Sequence, residues 1–182
     1  NTVWAFATAG HAAPALFEAV AWEAAGRLRG FDPQNLSNTV WDFATAGHAA
    51  PTLFNAVATE AAGRLRDFKP QELSITVWAF ATVGHAAPSL FEAVATAAAD
   101  RLHDFKPQHI SNTVWAFATA GDAAPALFDA IAAEAARRLH DFSSQALANT
   151  MWAFATAGHA APALFEAAAM EAVSRRLRDF TS

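Results

Sequence analysis

Side chains that can hydrogen-bond, ionise or stack recur in this sequence at a fixed interval of 37 residues. Asn1, Asn38, Asn112 and Asn149 form one ladder, with Ile75 in the third place. An asparagine amide carries an acceptor and two donors, the set that reads a base edge and equally the set that ties one helix to a neighbour's backbone. Trp4, Trp41, Trp78, Trp115 and Trp152 form a second ladder. Such a row serves either as core between stacked helices or as a platform for planar ligands. His11, His48, His85 and His159 form a third, with Asp122 in the fourth place. Neighbouring packed helices would hold these imidazoles about 8–10 Å apart, too far to share a zinc ion with bonds near ~2.0 Å. A turn or surface role is expected there, and no metal. Arg27, Arg64, Arg101 and Arg138 close the set. They either complement helix dipoles and pair with Glu23, Glu60 and Glu134, or join Lys69 and Lys106 in contacting phosphates.

The elements that position these ladders are read from one complete unit. Asp32 followed by Pro33 is an N-cap and an N1 proline, and Gly47 stands where a C′ glycine ends a helix. The spacing predicts a first helix over 33–46 and, after a turn carrying Pro51, a second over 50–66. On the first helix Leu36, Val40 and Phe43 make an apolar face. Gln34, Asn38, Asp42 and Thr45 line the other side as a neutral polar stripe with Trp41 on its border. Leu53, Phe54, Val57, Ala61, Leu65 and Phe68 are the buried stripe of the second helix, and Thr59 faces outward. The last unit has one extra residue near Ser174, seen from the longer interval between Phe165 and Phe180 than between Phe128 and Phe142.

A period of this length means stacked supersecondary units. The expected fold is all-α, an α-solenoid of five tandem 37-residue helix-turn-helix repeats over 1–37, 38–74, 75–111, 112–148 and 149–182 as a single array. The end units lack the polar caps of a terminal solenoid repeat, so the array is expected to extend beyond these residues or to cover its ends by self-association. With no Cys, disulfides and thiolate sites are excluded. No apolar run reaches the roughly 18 residues of a membrane span. The net charge of −5 is the opposite of the basic balance of a generic phosphate-backbone binder. No nucleophile, acid and base converge and no phosphate-cradling glycine loop is present, so neither an enzyme nor a cofactor is expected.

The motif Leu-Ser-Asn-Thr-Val-Trp at 36–41, the Phe-Ala-Thr-Ala-Gly that follows in 43–47, Pro-x-Leu-Phe at 51–54 and Asp-Phe-x-Pro-Gln at 67–71 resemble the heptatricopeptide and octotricopeptide repeats over essentially the whole chain. Members of those families are right-handed helical-pair solenoids of organelles that bind RNA, often beside a RAP domain. The resemblance implies a mitochondrial or plastid protein that binds single-stranded RNA at about one base per repeat. Near-uniform repeats then imply a nearly homogeneous tract. Gln34, Asn38, Thr45, Gln71, Thr82, Gln108, Asn112, Thr119, Asn149 and Thr156 are the candidate RNA-contacting residues. Arg27, Arg64, Lys69, Arg101, Lys106 and Arg138 are the candidate phosphate contacts. The alternative function is a protein-interaction or structural scaffold that self-assembles through its ends.

Overall fold

The computed structural model describes residues 13–181, with side chains described as far as Ser174. It is all-helical, and no strand occurs among the described residues. The helices are α1 (Pro14–Ala25), α2 (Pro33–Thr45), α3 (Pro51–Ala62), α4 (Pro70–Val83), α5 (Pro88–Ala99), α6 (Pro107–Ala120), α7 (Pro125–Arg137), α8 (Ser144–Ala157) and α9 (Pro162–Thr181). All eight prolines of the chain are the first residue of a helix, where the missing N–H costs nothing and φ is already helical.

First helices begin in one of two ways. The Asp32 carboxylate accepts from the Asn35 amide at 2.7 Å, and the Ser143 hydroxyl accepts from Ala146 at 3.1 Å. Lysine cannot do this, so the third helical residue reaches back instead: Lys69 N–H donates to Glu72 at 2.8 Å and Lys106 N–H to His109 Nδ1 at 3.3 Å. Each first helix ends at a glycine with φ between 65 and 68°, namely Gly47, Gly84, Gly121 and Gly158. The next residue then donates its N–H back to a carbonyl in the last turn, as His48 does to Phe43 at 3.0 Å.

Alternate helices pack on one another in two layers. The first helices α2, α4, α6 and α8 lie side by side and touch along most of their length. The second helices α1, α3, α5, α7 and α9 touch over less. Ala79, Ala116 and Ala153 are fully buried at the first-helix seam, where a small side chain permits close approach. Thr76, Thr113 and Thr150 are buried in the first helices, and each satisfies its hydroxyl on the carbonyl four residues back.

Three kinds of tie recur at the junctions: the first at four of them, the second at three and the third at two. A phenylalanine of one second helix meets a phenylalanine of the next first helix edge to face, in Phe17–Phe43, Phe54–Phe80, Phe91–Phe117 and Phe128–Phe154, at 4.9 to 5.4 Å. An arginine reaches back 33 residues to a phenylalanine carbonyl, from Arg64 to Phe31, Arg101 to Phe68 and Arg138 to Phe105, at 3.0 to 3.1 Å. A histidine reaches back 30 residues, from His85 to Asn55 at 2.9 Å and from His159 to Asp129 at 2.8 Å.

Two expectations are corrected. The second helices stop at Ala62 and its equivalents rather than four residues later, and a short 3-10 turn follows at Leu65–Asp67, Leu102–Asp104 and Leu139–Asp141. The break at Arg64, with φ −134 and ψ 16, sends Leu65 and Phe68 into the core while the guanidinium crosses to the preceding unit. With its extra residue, α9 has no such break and runs unbroken through 20 residues. Asp42, expected on the polar stripe, stands where Ala79, Ala116 and Ala153 are fully buried, so it belongs to the seam between first helices. Partial burial there raises its pKa above the ordinary carboxylate value.

Candidate nucleic-acid interface

Four residues of each first helix share one face. At 100° per residue, Gln34, Asn38, Trp41 and Thr45 fall within an arc of roughly 60°, opposite Leu36 and Phe43. The equivalents are Gln71, Ile75, Trp78 and Thr82, then Gln108, Asn112, Trp115 and Thr119, then Gln145, Asn149, Trp152 and Thr156. Because the first helices lie side by side, these faces join into one surface running across the array.

The candidate RNA-contacting side chains are all solvent-accessible. Gln34, Asn38, Thr45, Gln71, Thr82, Gln108, Thr119 and Thr156 are exposed, and Asn112 and Asn149 are half-exposed. No side-chain hydrogen bond to another described residue occupies any of them. Off the stripe most hydroxyls of the first helices are bonded, the buried Ser111 being the exception. Ser37 and Ser74 bond the carbonyls of Gln34 and Gln71, and Thr39, Thr76, Thr113 and Thr150 bond carbonyls of the preceding turn. The asparagines therefore do not serve as helix-to-helix ties, one of the two roles open to them from sequence; Arg64, Arg101 and Arg138 fill that role.

The tryptophans run along the middle of this surface. Trp41, Trp78 and Trp115 are half-exposed and Trp152 is 47% exposed. Trp78 and Trp115 lie 6.3 Å apart between ring centroids, and Trp115 and Trp152 lie 6.5 Å apart. Their planes meet at 32 and 28°, so the indoles form a nearly parallel row. Trp78 and Trp115 pack on the core from one side and offer the other to solvent, so the row is not closed core. Trp22, outside the ladder, faces solvent as expected.

The cations divide into two groups. Arg64, Arg101 and Arg138 are largely buried against the preceding unit and are also paired, Arg64 with Glu60 at 3.0 Å and Arg138 with the 6% exposed Glu134 carboxylate at 2.9 Å. Arg137 also pairs with Glu134, and Arg27 with Glu23. Lys69 and Lys106 are exposed at the N-termini of α4 and α6, two residues before Gln71 and Gln108 of the stripe.

The histidines sit at the turns, as expected. His48, His85 and His159 each lie over a junction pair of phenylalanines, with ring centroids 5.1 to 5.9 Å away. Burial lowers the pKa of His85. At the one junction where Asp122 replaces histidine, burial and the nearby Glu92 carboxylate raise the aspartate pKa. His11, with Asn1 and Trp4, lies outside the described residues. Among those described, no group of His, Asp and Glu is arranged to hold a metal ion. No helix among them is long and apolar enough to cross a membrane.

Sequence reasoning missed the arginine-to-carbonyl and histidine ties because they join residues 30 to 33 positions apart. Their only signal was that both residues keep step with the phenylalanines.

Paired helices in two layers, with one polar face kept free of internal bonds, define a helical scaffold whose function lies in that face. Residues 1–180 match the family model of the RNA-editing substrate-binding complex 6 protein, and the chain belongs to that family. The family places it among RNA-processing helical proteins, which is the broader part of the resemblance read from the repeat motif. The narrower heptatricopeptide and octotricopeptide heading is not the one that matches. No curated protein matches the chain.

Proposed function

We propose that this chain is a single-stranded RNA-binding module of an RNA-processing assembly, built as an α-solenoid of five 37-residue units and acting without catalysis. One observation carries the reading: among the described residues the polar side chains of the stripe are free, while off the stripe Ser37, Ser74, Thr39, Thr76, Thr113 and Thr150 are bonded internally, with Ser111 the buried exception. Free amides and hydroxyls around a row of indoles suit a strand with unpaired bases, which offers both edges and faces. Gln34, Asn38, Thr45 and their equivalents take base edges or sugar hydroxyls, and the indoles lie against base faces. Lys69 and Lys106 take phosphates, while Arg64, Arg101 and Arg138 hold the units together. The right-handed sense and the likeness to heptatricopeptide arrays rest on the repeat motif. A mitochondrial rather than plastid location rests on the family alone.

The test is a mobility-shift series with short homopolymeric and mixed RNAs at several salt concentrations. Binding is expected to have a shallow salt slope, about −1.4 for two phosphate contacts to a single strand. Lack of binding to every RNA defeats the reading. A second reading, a protein-interaction scaffold, is favoured by one observation. Trp22, on the outward side of α1, is 77% exposed, apolar surface that a protein partner would cover. Light scattering that grows with protein concentration in the absence of RNA would support this scaffold, and a monomer throughout would count against it.

A further inference from the structure

The stripe is not uniform. Its second position carries a free amide in Asn38, Asn112 and Asn149, but a half-exposed apolar side chain in Ile75. Around Ile75 the remaining positions are unchanged: Gln71 and Thr82 are exposed without internal partners, and Trp78 keeps its place in the indole row. The substitution therefore removes the asparagine amide from one unit while leaving Gln71, Thr82, the backbone and the stacking surface in place.

We propose that the third unit is a blank in the reading frame, so that the RNA this array selects is a short tract of one base type interrupted by one freely variable nucleotide. The proposal rests on the RNA-binding reading above. An asparagine amide discriminates among bases because it must match a donor and an acceptor on the base edge, and a mismatch leaves partners unsatisfied. Ile75 has neither donor nor acceptor. Three residues before Trp78 on the same helix, it widens the apolar surface beside the indole, which any base can cover because every base has an apolar face. With the asparagine as the discriminating group and Gln71 and Thr82 on sugar hydroxyls, unit 3 contributes affinity and the flanking units contribute the choice.

The experiment uses RNAs five nucleotides long, so that the strand cannot slide to another register. The preferred homopolymer is identified first, and each position is then replaced in turn by the other three bases. For the chain as it stands, replacement at the central nucleotide is expected to change affinity by less than about threefold, against about tenfold or more at the second and fourth positions. In Ile75→Asn, the central nucleotide should become as sensitive as its neighbours, and affinity for the homopolymer should rise about threefold or more. Ile75→Val, which leaves the site apolar, should keep the blank. Equal sensitivity at all positions in the original chain overturns the proposal while leaving RNA binding intact. Failure of Ile75→Asn to sensitise the centre does the same. Absence of binding to every homopolymer removes both this inference and the RNA-binding reading.

Discussion

If the arginine row ties units together, its members should differ in cost by an amount set by their partners. Arg101 donates to the Phe68 carbonyl at 3.1 Å and meets only the half-exposed Asp104 at 3.8 Å. A hydrogen bond from a charged donor contributes about 1.5–3 kcal/mol, and an exposed ion pair about 0–1. With the Arg101 side chain 32% exposed, Arg101→Ala is expected near the lower end, about 1.5 kcal/mol. Arg64→Ala also loses Glu60, whose side chain is 22% exposed, and should cost somewhat more, about 2 kcal/mol. Arg138→Ala strands the nearly buried Glu134 with Arg137 as its only remaining cation among the described residues, and should cost about 3 kcal/mol. Urea unfolding gives the order, and amide exchange locates the damage, because a repeat array opens at its weakened junction. In Arg101→Ala the faster exchange should appear around Leu65–Asp67 and the start of α4. A loss under about 0.5 kcal/mol for Arg101→Ala, or no ordering among the three, would refute the tie. Unchanged stability with weakened RNA binding would return the row to phosphate contact.

The two displaced aspartates give further expectations. Asp122 has its pKa raised from 3.8 by burial and by Glu92, so its ionised form is penalised in the fold. Stability is kept below the ordinary value and falls as pH rises through the raised one. Asp122→Asn should then be more stable than the parent at pH 7 and no more stable at about pH 3.5, measured by urea unfolding at the two pH values. Asp42→Ala restores the residue that is buried at the seam in the other described units, and should raise the unfolding free energy by at least about 0.5 kcal/mol from helix propensity alone. A decrease would mean that Asp42 has a stabilising partner in the first unit.

Much of the fold was legible because its signals are local. Prolines open helices, Gly47 and its equivalents close them in the left-handed region, and Leu36, Val40 and Phe43 mark the face that must be buried. Longer-range facts were not. Nothing near Arg64 in sequence indicates that its guanidinium caps Phe31 in the preceding unit, or that the second helix must break for it to arrive there. Asp42 read as polar stripe because it is charged, although the alanines in its place in later units already marked a position with no room. The candidate stripe was legible from the spacing of Gln34, Asn38 and Thr45. Their lack of internal partners was not, since serines and threonines on the same helices looked equally available until their bonds to backbone carbonyls were placed. Trp41 and its equivalents stood at the border of two faces, and only packing decides that they stay solvent-accessible, with Trp78, Trp115 and Trp152 in a row.

The most direct test of the first-helix face as the RNA surface is ultraviolet cross-linking of a bound single strand, with the attachment sites mapped by mass spectrometry. Cross-links are expected on peptides carrying Trp41, Trp78, Trp115 and Trp152, and on none from the outward side of the second helices, Trp22 included. Attachment confined to the second helices would contradict the account.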